Sequence, residues 1–160
     1  MIFCRRFRLF AVFLTFACLS LSAFCLGKKA PSWWKKICFT DSKGIYVTGK
    51  SSYEGSSVAE KAAFLSARGE LSKIFASCLK SEDGDGSLRE VQYLTGVRQL
   101  DYYKVEEETR VLAFISYDDA VTSIKKGADL QEDSKTSALM RNMTKVKLKS
   151  LLKKNGIKSY

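Results

Sequence analysis

The sequence predicts an α+β domain: one long helix packed on a small, mostly antiparallel sheet, followed by a short helix and a basic C-terminal helix. Three observations carry that expectation. "GIYVTG", Gly44 to Gly49, is β-branched and aromatic between two glycines and reads as a short strand. "VAEKAAFLSARGELSKIFASCLK", Val58 to Lys80, repeats apolar residues at the helical period. Further on, "VRQLDYYKV" and "RVLAFISYD" are two strand-like runs joined by "EEET", the pattern of a hairpin.

In chain order, the first element is a targeting segment, residues 1–27. Arg5, Arg6 and Arg8 precede an uncharged run from Leu9 to Gly27, rich in Phe, Leu, Val and Ala, which describes an export signal cleaved after Ala23 or Gly27. The run is also long enough to serve as a membrane anchor. Lys28 and Lys29 beyond it leave the positive-inside rule undecided. A third route is lipidation at Cys18, which has an acceptable Ala17 before it but a poor Thr15 further upstream. All three routes take the chain out of the cytosol, to the periplasm, outer membrane or surface of a bacterium. Of five cysteines, Cys4, Cys18 and Cys25 lie in this segment, so Cys38 and Cys78 form a candidate disulfide in a compartment that can be oxidising. The alternative is two buried thiols acting as small hydrophobes.

Residues 28–133 form the expected body. "KKAPSWWKK" holds the only proline, Pro31, and two tryptophans. It reads as a linker whose Trp33 and Trp34 pin the N-terminus to the domain, or as an exposed aromatic clasp. After the strand, "KSSYEGSS" is turn material, and Ser57-Val58-Ala59-Glu60 is a capping box that starts the long helix. Ala63, Phe64, Ala67, Leu71, Ile74, Phe75 and Cys78 share one face of it. The alanine end lets the helix sit close to a sheet, and the Phe and Ile end fills a wider gap. "SEDGDGS" reads as a solvated loop, because Ser81 occupies the place where a calcium loop needs its first ligand. Leu88 to Gly96 fits strand or helix equally. Val111 to Tyr117 is apolar almost throughout and belongs inside the sheet. Asp118 or Asp119 then caps a short helix, "AVTSIKK", stopped by Gly127. A last helix runs from about Ser137 to Lys154, with Leu139, Met143 and Val146 as its ridge. It ends in a Schellman-type stop at Gly156, with Ile157 for the apolar contact.

The charge is uneven. Residues 28–133 hold 16 Lys and Arg against 17 Asp and Glu, whereas residues 134–160 hold eight Lys and Arg and no acid. That tail is the physical signal for a partner. Arg141, Lys145, Lys147, Lys149, Lys153 and Lys154 are candidate contacts to an anionic surface such as phospholipid headgroups, lipopolysaccharide or another polyanion. The alternative is a terminal helix docked on the body with its lysines in water. Nucleic acid is electrostatically compatible but poorly matched to an exported chain. The chain has no histidine, which removes the commonest general base and every Ser-His or Cys-His nucleophile pair. No carboxylate pair stands out, so a non-enzymatic protein with no cofactor is expected.

"GIYVTGKS", Gly44 to Ser51, matches the phosphate-loop pattern at every fixed position. A phosphate loop needs a strand before its first glycine and a helix starting at its lysine. Here the strand stands between the glycines, and the helix waits until Ser57. Nucleotide binding is not expected.

Pro31-Ser32-Trp33, "IYVTGKSS" and "VAEKAAFLSARGELSKIF" together resemble the LPP-twenty lipoprotein family of bacterial envelopes, and "RVLAFISYDDAVTSIKK" looks like that family's closing strand and short helix. The resemblance covers Pro31 to Lys126. It implies a surface or periplasmic envelope protein without enzymatic activity, with a compact α+β domain that works through contacts. Related domains occur in proteins that assist flagellar assembly. A member of that family should carry a good lipidation box, and here Cys18 is the sole candidate. No site residue carries over.

Overall fold

Eight elements follow in the computed structural model, which describes residues 29–83, 94–129 and 135–160. They are β1 (Cys38–Thr40), β2 (Gly44–Ser51), α1 (Ser56–Asp83), β3 (Arg98–Val105), β4 (Glu108–Ser116), α2 (Tyr117–Ala128), α3 (Lys135–Arg141) and α4 (Lys145–Lys154). The expected targeting segment, the "GDGS" part of the expected loop and most of Leu88 to Gly96 lie outside the described residues. The sheet runs β1-β2-β4-β3 with every strand pair antiparallel, so the architecture is the α+β one expected. β4 stands between β2 and β3, as its apolar run demands. β1, only three residues long, has no sequence pattern that would announce it.

α1 lies across one face of the sheet. Ile45, Val47 and Gly49 of β2 pair with Ile115, Ala113 and Val111 of β4, and these residues point at the helix. Ala59, Ala63, Ala67, Leu71, Phe75, Cys78 and Leu79 form its buried seam, while Phe64 and Ile74 pack at the margin. At Gly49 the two backbones meet. A Cβ built there would overlap Ala63 O and Ala67 N and stand 2.8 Å from Ala67 Cα. Only glycine on the strand and alanine on the helix allow this approach.

The helix starts one residue before the expected capping box. Glu60 does not turn back to Ser57 either. Its carboxylate accepts from Gln99 Nε2 on β3, so it ties helix to sheet instead. The hairpin turns tightly at Glu106–Glu107, with Val105 opposite Glu108, and Glu106 takes a left-handed φ of 53°. β4 runs straight into α2. The cap is therefore Ser116 rather than Asp118 or Asp119: its Oγ accepts from the Asp119 N–H at 3.1 Å, and the Asp119 carboxylate accepts from the hydroxyl at 2.7 Å. Gly127 does not stop this helix, which buries it in the last turn and continues to Ala128.

The expected final helix is two helices. The chain breaks at Asn142–Thr144, and Thr144 caps α4 by accepting from the Lys147 N–H at 3.2 Å. The break resets the helical phase, which changes the buried set. Met140, Met143, Leu148, Leu151 and Leu152 enter the core that holds Leu71, Phe75 and Ile115, while Leu139 packs at its margin. Val146, expected in the ridge, is 80% exposed. The Schellman stop is as read: Ile157 N–H donates to Leu152 O and Gly156 N–H to Lys153 O, each at 3.0 Å, with Gly156 at φ 77°. Pro31 to Tyr160 make one compact unit.

Gly49→Ala should destabilise the fold by at least about 2 kcal/mol in urea unfolding, because neither backbone can retreat. Gly69→Ala is the control: a Cβ there has nothing within 4 Å, so the substitution should stabilise the helix by about 0.5–1 kcal/mol.

Candidate binding groove at the β1 edge

β1 is an edge strand, and the C-terminal segment covers its outer side. Thr40 N–H donates to Lys158 O at 3.0 Å, and Tyr160 N–H donates to Thr40 O at 2.9 Å, a short parallel bridge. The Schellman turn makes this possible by sending the chain back from the end of α4 toward the sheet. Between that returning segment, α4 and the start of α2 lies an open groove of about 800 Å³.

Three lysines line it, Lys149 and Lys153 from α4 and Lys158 from the returning segment. The Lys149 ammonium sits 4.4 Å from the centre of the Tyr117 ring, an arrangement that holds the cation over the groove floor. Tyr117 Oη in turn donates to Asp41 O at 3.1 Å. Asp41 is the acidic residue of the lining, and its carboxylate is already engaged. Oδ1 accepts from the Lys43 N–H at 2.7 Å and the Gly44 N–H at 3.0 Å, and Oδ2 accepts from Tyr46 Oη at 2.9 Å. Burial alone would raise this carboxyl. The hydrogen bonds from Gly44, Lys43 and Tyr46, with the Lys43 charge, outweigh burial and hold it below the usual carboxylate range. The same contact, after burial, pushes the Tyr46 phenol up. Asp41 stays ionised and offsets one charge, but the three lysines outnumber it, so these side chains give the groove a net cationic lining.

The candidate lysines of the tail therefore sort by the phase of α4. Leu148, Leu151 and Leu152 form the buried seam, and the cations flank it on two sides. Lys145, Lys149 and Lys153 recur at (i, i+4) on one flank. Lys145 is engaged there by Asp118 at 2.7 Å, which leaves Lys149 and Lys153 at the groove. Lys147 and Lys154 fall on the other flank, and Arg141 ends α3, so these three do not join the site. Lys158 does join it and was missed. Its only signal was its place just beyond the Schellman turn. The candidate lipidation residue, Cys18, lies outside the described residues. Cys38 and Cys78 carry thiols at the margin and in the interior of the core.

The sheet face opposite α1 carries an aromatic row across three strands. Phe39 stacks on Tyr46 with centroids 4.8 Å apart, and Tyr46 meets Phe114 at 5.0 Å. Lys36 and Arg98 cap its ends, Lys36 over Phe39 and Tyr160, Arg98 over Phe114. These ring faces are occupied by one another and by the two cations, so the row covers the sheet rather than offering stacking platforms. Trp33 and Trp34 cover the rest. The Trp33 indole N–H donates to Asp101 Oδ2 at 3.2 Å, and Trp34 meets Tyr103 edge-on under the Arg110 guanidinium. The tryptophans pin the N-terminus to the domain.

"GIYVTGKS" is β2 from end to end, paired residue by residue with β4 from Gly44↔Ser116 to Ser51↔Thr109. Gly44 and Gly49 are there because a side chain at either would strike neighbouring backbone. An extended, paired strand cannot wrap a phosphate. Among the described residues, no three His, Cys, Asp or Glu side chains gather as metal ligands, and no helix is long and apolar enough to cross a membrane. No protein-family model, curated protein or solved structure matches the chain.

Asp41→Asn tests the turn beneath the groove. A carboxyl held low in the folded state contributes stability above about pH 4, its unfolded value, and loses it as pH falls toward the folded value. The wild type should lose stability across that acidic window more steeply than Asp41→Asn. Parallel urea midpoints from pH 6 to pH 2.5 measure the difference, and equal slopes would show that Asp41 does no such work.

Proposed function

We propose that this is a non-enzymatic, exported envelope protein that works by contact, and that its contact site is the lysine groove at the β1 edge. The carrying observation is the convergence of Lys149, Lys153 and Lys158 on one groove in which Asp41 is the acidic side chain of the lining. The basic, then apolar, start of the chain supports export. The resemblance of Pro31 to Lys126 to the envelope lipoproteins supports the same compartment. There the abundant polyanions are lipid headgroups and lipopolysaccharide, whose phosphates suit a cluster of ammonium groups. A domain with a neutral body and a cationic groove beside α4 would touch such a surface with its C-terminal side.

Deleting residues 134–160 cannot test this, because it would strip Met140, Met143, Leu148, Leu151 and Leu152 from the core. Side-chain changes can. The full chain should co-sediment with vesicles containing phosphatidylglycerol, or with lipopolysaccharide, and not with phosphatidylcholine vesicles. Binding should weaken steeply between 50 mM and 300 mM salt. Each lysine facing an anionic surface contributes about 1 kcal/mol, so Lys149→Gln with Lys153→Gln should weaken binding roughly 30-fold at low salt. Lys147→Gln with Lys154→Gln, on the far flank, should change it much less. Equal losses from the two pairs would replace the groove with a diffuse charge effect, and no binding to either anionic surface would sink the reading.

A further inference from the structure

The two cysteines among the described residues approach one interior from opposite walls. Cys38 stands in β1 opposite Val47, whose side chain faces α1, and packs against the core. Cys78 lies on the buried seam of α1 between Phe75 and Leu79, within that same core. β1 is three residues long and is secured by β2 on one side and the returning C-terminal segment on the other.

We infer that Cys38 and Cys78 close a disulfide when the chain folds in an oxidising compartment, tying the edge strand to the C-terminal half of α1. A bridge here would fasten the shortest strand to the longest helix, closing the chain between residues 38 and 78 into a loop that the unfolded state can no longer explore. The location rests on the export proposed above, but the pairing rests on the fold alone.

The same burial dictates when the bond can form. In the folded chain the Cys38 thiol is pushed up to about 12, by burial and then by the charge of nearby Cys78. Burial pushes Cys78 up to about 11. At neutral pH little of either would be thiolate, and the thiolate is the attacking species. Exchange should therefore be fastest before α1 seats on the sheet, and slow once Cys78 is buried. In that early state one cysteine, as thiolate, attacks a disulfide of low-molecular-weight or oxidoreductase type and releases one of its sulfurs. The second cysteine, deprotonated, displaces the other sulfur from the mixed disulfide. The cysteines lose two electrons and two protons, and the oxidant leaves carrying them as two thiols.

The test uses the full chain, reduced and denatured, then diluted into buffer containing reduced and oxidised glutathione. It is quenched with an alkylating agent and digested without reductant. Peptide mass spectrometry should find the Cys38 peptide linked to the Cys78 peptide, the link disappearing on reduction. The same glutathione mixture added to protein already folded in the reduced state should leave both as thiols over the same time. Reductant should lower the urea midpoint of the linked wild type and leave Cys38→Ser unmoved. Singly alkylated Cys38 and Cys78 after oxidative refolding, or links made to Cys4, Cys18 or Cys25 in their place, would overturn the pairing. Equally fast linking of the prefolded protein would overturn the order of events. A pair that links on refolding yet stays reduced in cells leaves the pairing standing and counts against export.

Discussion

The fold depends on a contact between two backbones. At Gly49 of β2 the strand has no side chain, at Ala63 and Ala67 the helix has almost none, and α1 comes down onto the sheet there. Everything else follows from that pinned end. Along α1 the seam residues grow from alanine to Leu71, Phe75 and Leu79, so helix and sheet part as a wedge. The open end needs filling, and the chain fills it with its last third: Ile124 from α2, Met140 and Met143 around α3, and Leu148, Leu151 and Leu152 from α4. The basic tail is thus part of the core by its apolar residues while its lysines stay outside.

That arrangement sets the electrostatics. A run of cations with no acid among them is a feature of sequence, but its action depends on where the buried seam falls. Here the seam splits the lysines into two flanks. Asp118 engages one member of the inner flank, and the Schellman turn returns Lys158 to join the other two. Asp41, held ionised by the turn between β1 and β2, offsets one of the three lysines and leaves the lining cationic. The groove is a consequence of how the tail closes the core.

Local patterns were readable where the physics is local. The seam of α1, the interior position of β4, the hairpin and the stop at Gly156 each follow from spacing or from one residue's conformational freedom. What failed to show was set by neighbours distant in sequence. β1 holds strand-favouring Phe39 and Thr40 but is only three residues long, so its pairing with β2 and the C-terminal segment, not a readable pattern, defines it. Glu60 left its capping box for Gln99, and Ser116 took the cap from Asp118 and Asp119 because β4 meets α2 with no loop between them. The break at Asn142–Thr144 hid the true seam, since a continuous helix would have aligned Val146 with Leu139 and Met143. Of the groove, Lys149 and Lys153 were legible as charges, and Lys158 was not, because its position depends on the return of the chain to Thr40.

Residue-resolved native-state hydrogen exchange in rising denaturant tests the central claim, that the helix pinned at Gly49 and the tail filling the wedge form one cooperative core. The amides of Val47 and Val111 in the sheet, Ala67 and Leu71 on α1, and Leu148 and Leu151 on α4 should merge onto a single opening free energy equal to that of global unfolding. Amides of α1 or α4 opening well below that value, while β2 and β4 stay protected, would contradict it.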